Sequence, residues 1–216
     1  MINILKCISS LFIIIPILYY GLSILINSHK KISDDTGFNI TKDIISEYNT
    51  INIIENTGII SYYNLKRKII KLSKNSYYGN NLSYISIALL SASISVIDKN
   101  KNQYLTLIKK VVNNLKLIYL FPLITIIIPY ITYTKLDAQF GLIIILLSTI
   151  ILYIQNNILS ESFIWINSNI KKIKSLTKDN RKKVLNYLQK IINLNKYIFL
   201  GELVMIIIML ATLIKR

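Results

Sequence analysis

Apolar residues gather into four long runs, separated by shorter stretches in which polar, charged and β-branched positions mix. The first run lies between Lys6 and His29 and centres on residues 12–26. The second lies between Lys116 and Lys135, the third over 140–154 with uncharged residues to Ser160, and the fourth over 197–214. A bilayer crossing needs about 20 mostly apolar residues, so the pattern predicts about four transmembrane helices. Pro16, Pro122 and Pro129 sit inside these runs, where neighbouring helices can satisfy the carbonyls they free. For the first run, a cleaved signal peptide is the competing reading; no clear small-x-small cleavage site supports it.

The stretches between the runs predict a split domain. Thr36 is placed to cap a helix over 38–48, with Phe38, Ile44, Ile45 and Tyr48 near one face. Short β-branched segments follow at 51–55, 59–63 and 68–72, with turn residues at Asn56-Thr57-Gly58 and Asn64-Leu65-Lys66. They read as a small antiparallel meander. Residues 82–97 form a helix candidate, apolar on most sides and therefore a core helix rather than a fifth crossing. Residues 100–114 suggest an amphipathic helix. Residues 163–174 and 179–193 suggest two more, the latter able to run on into the fourth crossing. The expected organisation is an N-terminal transmembrane helix over 1–27, a soluble part over 28–114 and a transmembrane hairpin over 115–155. A basic helical part of the same domain over 156–196 and a C-terminal transmembrane helix over 197–216 complete it. The fold class is α+β within a membrane protein.

Composition and charge sharpen this. The chain has 216 residues, of which 53% are hydrophobic and 17% charged, with a mean hydropathy of +0.49. That is too apolar for an ordinary soluble domain. Net charge is +16, yet only three of the 26 basic residues, Arg67, Arg181 and Arg216, are arginine. Nucleic-acid readers lean on arginine forks, so nucleic acid is not an expected partner. The basic residues of the second soluble part, Lys171, Lys172, Lys174, Lys178, Arg181, Lys182, Lys183, Lys190 and Lys196, face only Glu161 and Asp179. By the positive-inside rule both soluble parts are cytoplasmic, and the 171–183 stripe suits anionic lipid. A compositional bias towards Ile, Asn, Lys and Tyr also contributes to the charge. The single Cys7 excludes an intramolecular disulfide.

Several motifs carry a resemblance. Thr36-Gly37 opens the soluble part. Ile59-Ile60-Ser61-Tyr62-Tyr63-Asn64-Leu65 follows, then Leu72-Ser73-Lys74-Asn75-Ser76-Tyr77-Tyr78-Gly79, then Ala88-Leu89-Leu90-Ser91-Ala92-Ser93-Ile94-Ser95-Val96-Ile97. In order and spacing they resemble the membrane-bound neutral zinc metallopeptidases of the YugP type. Those peptidases have a Thr-Gly start, a Leu-Thr-Asp-His-Tyr-Asp-Pro-like segment, a Leu-Ser-x-x-Tyr-x-Gly connection and a His-Glu-x-x-His helix. The resemblance implies a zincin-like domain. In such a helix two imidazoles at i and i+4 share one face and one zinc ion, and the glutamate takes a proton from the zinc-bound water.

Here that chemistry is missing. The resemblance puts Leu90 and Ile94 at the two ligand positions and Ser91 at the general-base position. It puts Ser162, in Leu159-Ser160-Glu161-Ser162-Phe163, where an acidic ligand belongs. Glu161 is one position off and reads as a helix-start acid. The whole chain has one histidine, His29, so no two-histidine zinc site forms within one chain in any register. Positions that pack (Gly37, Ile44, Tyr63, Leu72, Ser73, Ala88, Phe163) look kept. The expectation is a pseudopeptidase without catalytic residues, cofactor or metal, acting by binding an intact paralogue, another membrane protein or a peptide. The alternatives are an unrelated membrane scaffold or small transporter subunit, and an enzyme completed by ligands from a partner chain. Asp34 and Asp35 near His29 read as helix-start charges rather than a cation site. Trp165 suits docking near lipid headgroups, and Glu202, one turn into the fourth run, is placed to snorkel to the interface.

Overall fold

The computed structural model describes residues 2–46, 51–58, 61–64, 66–100, 127–128 and 135–215. The expected amphipathic helix over 100–114 and nearly all of the second crossing lie outside these. The elements are α1 (Ile2–Ser28), α2 (Gly37–Ile45), β1 (Asn52–Asn56), β2 (Tyr62–Asn64), β3 (Ile69–Ser73), α3 (Lys74–Tyr78) and α4 (Leu82–Asn100). After them come α5 (Lys135–Asn169), a 3-10 turn (Ile170–Lys172) and α6 (Lys178–Lys215). The chain divides into two compact units. One comprises 1–22, 110–157 and 193–216, and the other 23–109 and 158–192.

In the second unit, Thr36 caps α2 as predicted: its side chain accepts from Asn39 N–H at 3.3 Å. The fold is mostly helical with a small three-stranded sheet, and the sheet corrects the expected meander. Its order is β1-β3-β2, with β1 parallel to β3 and β2 antiparallel to it. β3 takes the centre because it is the strand with the most to bury. Ile70 and Leu72, two apart and so on one face, are both fully buried. β1 has mostly exposed positions and goes to an edge. Residues 57–68, which include β2, return the chain so that β3 can lie parallel to β1; a parallel pair needs about that length of connection. The β2–β3 turn is fixed by Asn64, whose Oδ1 accepts from Lys66 N–H and Arg67 N–H, both at 3.1 Å. Lys68 completes it at φ 54°.

Helix α4 is the core helix that its composition predicts. Leu82, Ile85, Ala88, Leu89, Ala92 and Val96 share one buried cluster with Ile40, Ile44, Ile70, Leu72 and, from the other end of the chain, Ile166, Ile173, Val184 and Leu188. Three of its serines avoid a desolvation cost by bonding back to their own helix. Ser91 donates to Ile87 O at 3.1 Å, Ser93 to Leu90 O at 2.8 Å and Ser95 to Ala92 O at 2.6 Å. Trp165 packs against this same cluster. The burial of Ile166 and Ile170 turns this part of its helix onto the domain core.

Two expected elements merge. Residues 163–169 are no separate helix but the last turns of the 35-residue α5, because nothing between 155 and 162 breaks it. Likewise α6 runs unbroken for 38 residues from the basic segment through the fourth apolar run. Two helices are long and apolar enough to cross a membrane, over Asp137–Lys172 and Lys178–Ala211. In the first unit Ile13, Ile145, Leu152, Ile198, Met205 and Met209 form an interior cluster. Gly201 lets α1 approach α6: a Cβ there would lie 2.3 Å from Ile13 Cγ1. Outward-facing Leu18, Phe140, Ile143, Leu147, Ile150, Ile207 and Leu210 are exposed, an apolar surface that lipid would cover.

A close contact in the second unit joins the start of α2 to the end of α3. Gly37 N–H donates to Gly79 O at 2.9 Å. A Cβ on Gly37 would lie 2.1 Å from Ser76 O, and one on Gly79 would lie 2.2 Å from Asn75 O and 2.4 Å from the Tyr84 ring. Backbone atoms cannot swing aside. Gly37→Ala is therefore expected to destabilise by about 1–3 kcal/mol, the range of core overpacking, whereas Gly58→Ala in an exposed turn costs about 0.5 kcal/mol or less. Thermal unfolding of the two variants in detergent checks the ranking.

Candidate functional site

The positions that the resemblance assigns to zinc chemistry fall in the second unit. Leu90 and Ile94 stand one turn apart on α4 and pack, partly buried, against the core cluster. Ser91 is buried, and its hydroxyl is committed to the Ile87 carbonyl. Ser162 on α5 is fully buried, with its Oγ making no hydrogen bond among the described residues. Two alkyl side chains offer no lone pair to a metal, and two neutral hydroxyls are poor zinc ligands and poor bases near neutral pH. These residues do not fit a zinc ion. Among the described residues, no group of three or more His, Cys, Asp or Glu is placed to hold a metal ion.

The outlying candidates lie apart. His29 is exposed at the end of α1. Asp34 is exposed and pairs with Lys31 at 2.9 Å. Glu161 is exposed on α5, next to buried Ser162. Ser61 and Tyr62, where the resemblance has an Asp-His pair, are used structurally. Ser61 Oγ accepts from Ser73 N–H at 2.9 Å and donates to Ser73 Oγ at 3.2 Å. The Tyr62 ring lies under Lys71 Nζ at 5.9 Å.

The packing positions, by contrast, converge. Thr36-Gly37 and the Leu72–Gly79 connection meet through the Gly37–Gly79 hydrogen bond. Ser73 caps α3, accepting from Ser76 N–H at 3.4 Å. Ala88 Cβ lies 3.3 Å from where a Gly37 Cβ would be. Ile44, Tyr63, Leu72 and Ala88 are all buried in one cluster, with Phe163 packed against it.

A polar centre lies at the far end of α4. Asp98 is fully buried, accepts from Tyr63 O–H at 3.1 Å and pairs with Lys68 Nζ at 2.5 Å. It ties the end of α4 to the β2–β3 hairpin, and the ion pair accompanies the left-handed backbone at Lys68. Burial first, and the Asp98 charge second, push the Tyr63 phenol well above its ordinary value. The sequence marked Tyr63 only as a kept position; Lys68 carried no signal, because its partner is 30 residues away.

The first unit holds a second polar centre that corrects the expectation for Glu202. Rather than snorkelling, Glu202 is fully buried. Ser148 Oγ donates to one carboxylate oxygen at 2.7 Å, and Thr149 Oγ1 lies 3.1 Å from the other and 2.8 Å from Ile145 O. The reason is helix phase: unbroken α6 turns Glu202 inward, where α5 offers two adjacent hydroxyls. Tyr153 meets Phe199 at 6.1 Å between ring centroids, so α5 and α6 run antiparallel.

No family model, curated protein or solved structure matches the chain.

For the Asp98 centre the sign follows from Tyr63. The folded state holds the phenol neutral, and the unfolded state releases its proton above about pH 10. The stabilisation is fully present below that pH and lost as pH rises past it. Tyr63→Phe is expected to cost about 1 kcal/mol at pH 7 and to flatten the alkaline limb of the stability curve. Denaturation at stepped pH from 7 to 11 measures both.

Proposed function

We propose that this chain is a multi-pass membrane pseudopeptidase: a zincin-like frame, related to the neutral zinc metallopeptidases, that binds a protein segment instead of cleaving it. The carrying observation is the contrast within one helix and its surroundings. Gly37, Leu72, Ser73, Gly79 and Ala88 meet in one packed region, while Leu90, Ser91 and Ile94 present alkyl groups and a self-bonded hydroxyl. A frame without donors can still recognise.

Two observations favour this over an unrelated scaffold or transporter subunit. Asn52–Asn56, Tyr62–Asn64 and Ile69–Ser73 are β-strands, and α4 is buried in a domain core. In this reading four helices cross the membrane and the soluble parts face the cytoplasm, where the lysine excess belongs. The partner is an intact paralogue or another membrane protein, and its peptide lies along an edge of the sheet. β1 is the edge with exposed positions, including Ile54 at 39% exposure.

A photo-crosslinking residue at Ile54, in tagged protein expressed in its native membranes, tests the reading. A discrete adduct of fixed mass is expected, together with resistance to alkaline carbonate extraction. Glu55→Lys/Asn52→Lys should weaken the adduct. Peptidase activity of the purified chain, lost to a chelator and restored by zinc, would contradict the proposal, as would a crosslinker at Ile54 that captures nothing.

A further inference from the structure

A cavity of about 170 Å³ opens in the second unit between the end of α1, the start of α4 and α6. Three lysines are among the residues that line it: Lys30 after α1, and Lys183 and Lys190 on α6. Lys183, Tyr187 and Lys190 follow at i, i+4 and i+7, so one face of α6 forms one wall. Each ammonium is held by a neutral oxygen. Lys30 Nζ donates to Asn27 Oδ1 at 2.9 Å, Lys183 Nζ to Asn180 Oδ1 at 3.1 Å and Lys190 Nζ to Ser23 Oγ at 2.6 Å.

None of the three makes an ion pair among the described residues. Asp179, one turn before Lys183 on α6, is exposed and does not pair with it. Asn27 and Asn186 add carboxamides to the lining. Burial pushes the Tyr187 phenol up from its ordinary value, so it adds no negative charge. Three lysines that line one cavity with no carboxylate in the lining repel one another, and an anion relieves that repulsion. Lysine meets phosphate as a point charge, and the carboxamides supply further donors.

We infer that this cavity binds a phosphate group, and that the source is the headgroup of an anionic phospholipid. The second step rests on reading α6 as membrane-embedded. Lys190 lies seven residues before Tyr197, where the apolar run begins, which at 1.5 Å per residue is about 10 Å along the helix. The polar layer on each side of the hydrocarbon core is about 5–8 Å deep, and a lysine stem spans the difference. The site therefore differs from general attraction of the 171–183 stripe to a charged surface: it holds one headgroup at defined side chains.

Native mass spectrometry of the full chain in detergent tests this, with phosphatidylglycerol, phosphatidylcholine or inorganic phosphate added. One retained phosphatidylglycerol is expected, in preference to phosphatidylcholine. Lys30→Gln/Lys183→Gln/Lys190→Gln should remove it, with each single change lowering retention about fivefold. Lys30→Arg/Lys183→Arg/Lys190→Arg keeps the charge and should keep the lipid, which separates loss of the site from misfolding. Lys171→Gln/Lys172→Gln/Lys174→Gln should leave the retained lipid in place. Equal retention in the triple glutamine variant, equal loss in the 171–174 variant, or no preference over phosphatidylcholine would each overturn the site. Binding of inorganic phosphate alone, without lipid, would overturn the lipid source and keep the phosphate site. Extraction of the chain by alkaline carbonate would refute the membrane reading without touching the phosphate result.

Discussion

The second unit depends on one close approach. Gly37 N–H meets Gly79 O, and a Cβ on either glycine would strike the backbone of α3, at Ser76 O for Gly37 and at Asn75 O for Gly79. This contact sets the start of α2 against the end of α3 and brings both beside Ala88 on α4. α2, the sheet and α4 then share a single buried cluster, into which α5 and α6 also send residues. Dispersion contacts at this density penalise even small shifts. The interior is therefore committed to holding shape, and Ser91, Ser93 and Ser95 of α4 spend their hydroxyls on its own backbone.

The two polar centres follow one rule at different sites. A buried carboxylate is tolerated where hydrogen-bond donors or a counter-charge meet it. Asp98 has Tyr63 and Lys68, and it stitches a helix end to a hairpin. Glu202 has Ser148 and Thr149, and it stitches α6 to α5. In apolar surroundings an acid that pairs two helices gives a specificity of packing that methyl groups alone do not provide. Leaving those hydroxyls and the carboxylate mismatched costs more than the hydrogen bonds themselves contribute.

Features governed by local chemistry were legible in the sequence. The Thr36 cap, the buried α4 and the continuity of α6 into its apolar run each follow from neighbours a few residues apart. Long-range matches were not legible. Strand order depended on which strand buried two aliphatic side chains, so β1 and β2 flank β3 instead of following in turn. The merging of 163–169 into α5 depended on the absence of a breaker, a weak signal in a chain with three prolines. Glu202 looked like an interface acid because its partners, Ser148 and Thr149, lie on another helix. The lysines of the cavity come from two ends of the chain and carried no motif.

Restoring the donors tests the central claim most directly. Leu90→His/Ser91→Glu/Ile94→His/Ser162→Glu rebuilds the ligand set at the positions assigned to it, and zinc per chain is counted by elemental mass spectrometry beside the unchanged protein. The account predicts about one tightly held zinc per folded variant chain and none in the parent. A variant that keeps its helical signal yet holds no zinc, or a parent that already carries one, would contradict it.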